Sequence, residues 1–131
     1  MLKIKTYLDR SPVHGVGLFA GDDIDQGTTI WEYHPGVDLS FSRERWLELL
    51  NTLAPAARDT IRRQSYKERE LFHLCLDHAQ FMNHSRERGN VGNDRRHNTM
   101  FAMLAIGKGE ELLCDYFEFS DPDDYHLAFL A

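Results

Sequence analysis

Phe81-Met82-Asn83-His84-Ser85 sets two polar, hydrogen-bonding side chains directly behind a hydrophobic stretch. An asparagine amide carries donors and an acceptor, so it can read an amine or a carboxylate, and a histidine can hold an adenine edge or a backbone carbonyl. An ordinary strand-to-loop exit reads the same way, with Asn83 and Ser85 satisfying turn backbone. Downstream, Glu111-Leu112-Leu113-Cys114-Asp115-Tyr116 is an apolar strand ending on a tyrosine. Tyr116, like Tyr33 behind Trp31-Glu32, is either a core tyrosine with a satisfied hydroxyl or a site residue. Upstream, Val13-His14-Gly15-Val16-Gly17-Leu18-Phe19-Ala20 is a tight turn leading into a short strand. Gly15 to Ala20 formally matches the dinucleotide fingerprint, but that motif needs a buried strand before it and a helix after it. Arg10-Ser11-Pro12 and further turn residues stand there instead, which excludes a doubly wound nucleotide fold. The two glycines make a plain turn, or they let backbone approach a ligand closely.

The remaining segments read as short strands around a helical middle. Residues 2–8 alternate and predict a first strand, broken by Asp9-Arg10-Ser11-Pro12. Thr28-Thr29-Ile30-Trp31-Glu32-Tyr33 is β-branched and aromatic, hence strand. Ser42 is a candidate cap for a helix running to Leu50, with Glu44 in its first turn, and a second helix is predicted from Pro55 to about Arg63. Residues 71–82 alternate imperfectly and predict a strand. Asn83 to Asn98 is polar and glycine-bearing and reads as loop, Thr99 to Ile106 as strand, and Gly107-Lys108-Gly109 as a turn. The sum is a β-rich α+β domain with a small helical insert.

Composition narrows the function classes. A chain of 131 residues, 42% hydrophobic and 11% aromatic, predicts one domain with one core. A formal net charge of −6 disfavours nucleic-acid binding, which needs a basic surface, and suits a basic partner. No stretch approaches the roughly 20 apolar residues of a membrane helix, and the first five residues lack the apolar core of a signal peptide. Cys75 and Cys114 sit in apolar runs without metal-ligand spacing, so buried reduced thiols and a soluble intracellular protein are expected. His73, His78, His84 and His97 lie near Asp77, but their spacing matches no specific ligand motif, and no metal is expected.

Three segments in this order resemble the SET-domain lysine methyltransferases. The first is Ser11 to Ala20 with Ile24, Gly27 and Ile30-Trp31-Glu32-Tyr33-His34-Pro35-Gly36; the second is Phe81 to Ser85; the third runs from Ile106-Gly107-Lys108-Gly109-Glu110-Glu111-Leu112 to Asp115-Tyr116. The resemblance implies one domain over 1–131, with a variable insert over about 38–75 and a tail over 117–131. It implies short twisted sheets in which the C-terminal segment threads, knot-like, under a preceding loop and brings Asn83-His84 beside Tyr116. The implied activity is transfer of a methyl group from S-adenosyl-L-methionine to a lysine of a basic protein or peptide. Tyr116 would be the main catalytic tyrosine and also a cofactor contact, and Tyr33 the second wall of the lysine channel. Gly15, Val16, Gly17 and Leu18 would meet the cofactor through backbone, and Asn83 and His84 would hold its amino-acid and adenosine portions.

The sequence also departs from that pattern. Arg86-Glu87-Arg88-Gly89-Asn90 lacks the usual proline and is one residue longer than that pattern, Val91-Gly92-Asn93 stands where an aromatic is common, and Cys114 replaces a frequent aromatic. The family's cysteine-rich zinc module is missing, so Phe117, Phe119, Tyr125 or Phe129 of the tail is expected to close the site, the alternative being plain C-terminal packing. These departures keep open a catalytically silent module that binds cofactor or peptide. Trp46, Leu47, Leu49 and Leu50 form a stripe that covers the domain's own core or pairs with a second copy as a homodimer.

Overall fold

In the computed structural model, which describes residues 1–130, the start of the chain folds into an antiparallel hairpin of β1 (Thr6–Arg10) and β2 (Val16–Ala20). The first strand therefore lies later than its alternation predicts; Leu2 bridges instead to Trp31. Pairing runs on through Arg10 opposite Val16, and the reversal begins at Ser11. The Ser11 hydroxyl accepts from the Val13 and His14 N–H groups at 2.9 and 3.1 Å, replacing backbone partners that the turn removes. Gly15 closes the turn at φ +51°, where a Cβ would be strained.

Next come β3 (Thr29–Glu32), β4 (Asp38–Phe41), α1 (Arg43–Thr52), α2 (Pro55–Gln64), β5 (Ser65–Glu68) and β6 (Leu71–Cys75). The chain continues through β7 (Asn83–His84), β8 (Val91–Asp94), β9 (Thr99–Ala102) and β10 (Leu113–Cys114). The central sheet has the order β3-β9-β8-β10-β7, with β10 running parallel to both β7 and β8. The late segment thus occupies the gap between two strands that are close neighbours in sequence. Asn90 supports it: its amide donates to the Glu111 carbonyl, and its Oδ1 accepts from the Leu113 N–H, each at 2.9 Å.

Several segment readings are corrected. The polar run 83–98 contains β7 and β8 because pairing overrides polarity: Val91 is buried opposite Ala102, and Asp94 pairs with Thr99. Gly92 makes room for Phe101, whose ring would stand 2.9 Å from an added Cβ. The strand expected over 71–82 stops at Cys75, and Asp77 then caps a short 3-10 turn, His78–Phe81, by accepting from Ala79. The strand expected over 99–106 ends at Ala102, and Ile106 bridges Ile24 instead.

The main core gathers around Leu18, Ile30, Val91, Ile106 and Leu112, each 0–1% exposed. The insert holds more than helices. Its strands form a second sheet, β4-β6-β5, and with α1 they bury a separate cluster of Trp46, Leu50 and Leu74. Ser42 caps α1 through the Arg45 N–H, and Pro55 opens α2, both as the sequence predicts. Trp46 stacks on Phe72 at 5.2 Å, so the α1 stripe is largely spent inside the domain, leaving Leu47 half-exposed.

The tail is fastened to β5. The buried Asp124 carboxylate accepts from the Lys67 N–H at 2.9 Å, and the Asp121 N–H reaches the Lys67 carbonyl at 2.7 Å. Arg69 and Glu70 turn the chain at φ +52° and +62°, and the Asp121 carboxylate takes both of their N–H groups. An acceptor aimed at a strained turn offsets part of its conformational penalty.

Candidate active site

The glycine turn, the asparagine–histidine pair and the terminal tyrosine meet, although they are far apart in sequence. Asn83 Nδ2 lies 2.9 Å from the His14 carbonyl, 3.2 Å from that of Val16 and 3.0 Å from Glu111 Oε1. Its two hydrogens are therefore shared among three acceptors, which fixes the turn against β7. Glu111 Oε1 also accepts from the Ser11 hydroxyl at 2.7 Å, while Glu111 Oε2 is buried and has no donor among the described residues. Gly17 is obligatory here: a Cβ would fall 2.3 Å from Glu111 Oε1. Glu111 was a signal the sequence did offer, a charge opening an apolar strand.

Tyr116 joins the pair through its backbone. Its N–H donates to His84 Nδ1 at 3.0 Å, so that nitrogen carries no proton. Burial lowers the His84 pKa, against the nearby Asp115 carboxylate, and so favours the neutral ring this bond requires. The Tyr116 hydroxyl donates to the Met82 carbonyl at 2.5 Å, and burial pushes its pKa far above the usual phenol range. The hydroxyl is therefore a permanent donor.

The same tyrosine faces a cavity of about 100 Å³. Trp31, Met82 and Cys114 line it from the central sheet, Tyr66 and Glu68 from β5, and Phe119 and His126 from the tail. The walls are aromatic in sequence: Tyr116 meets Phe119 at 5.8 Å, Phe119 meets Tyr66 at 5.3 Å, and Tyr66 stacks on His73 at 4.9 Å. At this volume the space takes one side chain, well short of the roughly 300 Å³ at which drug-sized ligand sites begin.

Tyr116 alone of the predicted site residues lines this cavity. Gly15, Val16, Gly17 and Asn83 belong to the turn compartment, Leu18 is buried in the main core, and His84 lies against Tyr116 and Phe117; Met82 and Asn83, adjacent in sequence, face one compartment each. Tyr33 is one ring removed from the wall: its hydroxyl shares a 2.8 Å hydrogen bond with Ser40, and its ring meets His73 edge-on. Tyr66, which the sequence reading passed over, takes the wall position. Nothing in Ser65-Tyr66-Lys67-Glu68 marks that tyrosine, because its burial depends on the tail. Of the tail aromatics, Phe119 reaches the cavity, whereas Phe117 stacks under Arg86 at 4.2 Å, Tyr125 under Arg62 at 4.8 Å, and Phe129 is exposed.

His73 is satisfied by Ser40 at 2.9 Å, and both thiols, Cys75 and Cys114, are free and raised in pKa by burial. No helix among the described residues is long and apolar enough to cross a membrane.

The family model for the SET domain matches residues 15–117, from the glycine turn to the residue after Tyr116. The chain belongs to the SET-domain family. Its β-rich α+β architecture, with the late strand inserted beside the asparagine–histidine pair, is a SET fold. No curated protein sequence matches this SET domain. Among solved structures it is similar to a Plasmodium falciparum protein to which histone methyltransferase activity is ascribed, at 21% identity and a TM-score of 0.57, covering 88% of this chain and 95% of that one. It is also similar to a chain of Chaetomium thermophilum Polycomb Repressive Complex 2 in an autoinhibited conformation bound to S-adenosylmethionine. There the identity is 19% and the TM-score 0.67, over 97% of this chain but only 17% of that one. At such identities the likeness concerns the fold.

Proposed function

We propose that this SET domain transfers a methyl group from S-adenosyl-L-methionine to a lysine side chain of a basic protein or peptide. The observation that carries the reading is the position of Tyr116, bonded to the asparagine–histidine pair on one side and lining a side-chain-sized aromatic cavity on the other. The similar Chaetomium chain, whose structure is bound to S-adenosylmethionine, is consistent with it.

The turn compartment fits such a cofactor. A Cβ at Gly15 would meet nothing within 4 Å, so the backbone there is open, and the donorless Glu111 oxygen suits a molecule bearing ammonium and sulfonium charge. Gly15 to Leu18 would hold it through backbone groups, with Asn83 and His84 beside them. Bound there, S-adenosyl-L-methionine supplies a methyl carbon activated by sulfonium.

The protein's own residues do the positioning. Trp31, Tyr66, Phe119 and Tyr116 surround a lysine chain with apolar faces, and desolvation in such a channel lowers an ammonium's pKa, so that the amine arrives neutral. The Tyr116 hydroxyl and the Met82 carbonyl, at the common wall, orient that amine for in-line attack; aligning two reactants is the main lever in a displacement of this kind. As the carbon–nitrogen bond forms, the carbon–sulfur bond breaks onto sulfur, and the methylated ammonium gives its proton to solvent.

Calorimetric titration with S-adenosyl-L-methionine tests the reading, with Asn83→Ala and Tyr116→Phe alongside. Saturable binding weakened by Asn83→Ala, together with methyl transfer to basic proteins sharply reduced by Tyr116→Phe, supports it. Binding without transfer to any lysine substrate assigns the silent module instead.

A further inference from the structure

The mouth of the cavity is held by an ion pair between its two walls. Arg95, on the turn joining β8 to β9, lies with Nε 3.2 Å from Glu68 Oε1 on β5, and both residues line the cavity. The partners are unequal: the Glu68 side chain is 13% exposed and that of Arg95 48%. Among the described residues Arg95 is the sole side chain hydrogen-bonded to the Glu68 carboxylate. The other carboxylate on the lining, Asp94, is already occupied by His97 at 2.7 Å and by two backbone N–H groups. Glu68 is therefore the one largely buried negative charge of the cavity whose partner can swing into solvent.

Leaving such a carboxylate unpaired is strongly unfavourable, so the mouth opens readily only if another cation replaces Arg95. A guanidinium replaces a guanidinium with the same donor geometry. The net charge of −6 draws basic chains toward the protein. We propose that Glu68 is the receptor for an arginine flanking the target lysine of the substrate, and that Arg95 fills this receptor until the substrate displaces it. The inference rests on the methyltransferase reading and specifies its substrate class: peptides with arginine beside the lysine.

The test uses the full chain with S-adenosyl-L-methionine and pairs of lysine-centred degenerate peptides carrying arginine or its neutral isostere citrulline at each flanking position. Peptide affinity is read by fluorescence polarisation and turnover by kcat and KM. The wild-type protein prefers arginine at one position, and Glu68→Gln abolishes that preference, weakening the arginine peptides by roughly tenfold or more relative to their citrulline counterparts. Arg95→Gln acts in the opposite direction, tightening the arginine peptides, because it empties the receptor. A mere structural clamp moves both variants the same way, for both peptides, and that result overturns the inference. So does a wild-type protein that binds cofactor yet shows no charge selection or binds none of the peptides. A wild-type protein that binds no S-adenosyl-L-methionine overturns the methyltransferase reading itself, and the inference with it.

Discussion

Tyr116 and His84 are tied at two levels: the Tyr116 N–H donates to His84 Nδ1 at 3.0 Å, and the two rings lie 5.2 Å apart. A proton on Nδ1 would break the first tie, so the site demands a neutral histidine. Burial holds the folded pKa of His84 below the ordinary histidine value of 6.5, Asp115 acting against the shift and Arg86 with it. The unfolded chain therefore binds the proton first. Stability is fully present above about pH 6.5 and declines as pH falls from there toward the lower folded value. His73, also lowered by burial, adds in the same direction. Thermal unfolding at pH 7.5 and pH 5 should show a smaller acid-induced drop in Tm for His84→Asn than for the wild-type protein. An equal drop would mean that His84 is not coupled to folding.

Tyr116→Phe removes the donor from the Met82 carbonyl without changing ring packing. An unsatisfied buried acceptor costs roughly 1–3 kcal/mol, so a lower denaturation midpoint is expected in urea. Methyl transfer should fall much further, by roughly 100-fold or more, as when one preorganised donor is deleted from an active site. Single-turnover assays separate the two effects, since the variant remains folded at assay temperature. Comparable losses in stability and rate would reduce Tyr116 to a packing residue.

How far the sequence carried can be read from these same residues. The glycine turn, Asn83-His84 and Tyr116 were each legible as marked positions, and the ordered set foretold that they meet. Their separation into two compartments was not legible, because it depends on Met82 and Asn83 facing opposite ways beside an inserted β10. Tyr33 sits in an aromatic strand and was assigned the wall by pattern, yet Ser40 and His73 hold it one ring away. Tyr66, Glu68 and Arg95 had no local signal. Their roles arise from tail-to-β5 and turn-to-β5 contacts between residues some 27 to 57 positions apart, which no period records.

Gly17→Ala should test the turn compartment. An added Cβ meets Glu111 Oε1 at 2.3 Å and the Ser11 Cβ at 3.0 Å, so the carboxylate must leave Ser11 and Asn83. Overpacking of this kind costs roughly 1–3 kcal/mol. Combining it with Glu111→Ala should give less destabilisation than the sum of the single changes, since the two act on one contact. Chemical denaturation of the four proteins in the cycle checks this, and strict additivity would place the strain elsewhere.

Asp124→Ala tests whether the tail serves the cavity or only packs. Asp124 is 5% exposed and its carboxylate accepts from the Lys67 and His126 N–H groups, so its loss orphans a donor on β5 and releases the segment carrying Phe119 and His126. A loss of roughly 1–3 kcal/mol is expected from the unsatisfied N–H. The tail residues lining the cavity are Phe119, Ser120 and His126, whereas the glycine turn is held by Ser11, Asn83 and Glu111. The two affinities should therefore split: KM for a lysine peptide rises, while the calorimetric affinity for S-adenosyl-L-methionine stays near the wild-type value. Deleting residues 120–131 should exaggerate the same split. Loss of cofactor affinity in step with peptide affinity would instead place the tail on the cofactor, and a deletion that changes neither would leave the segment after Phe119 as C-terminal packing.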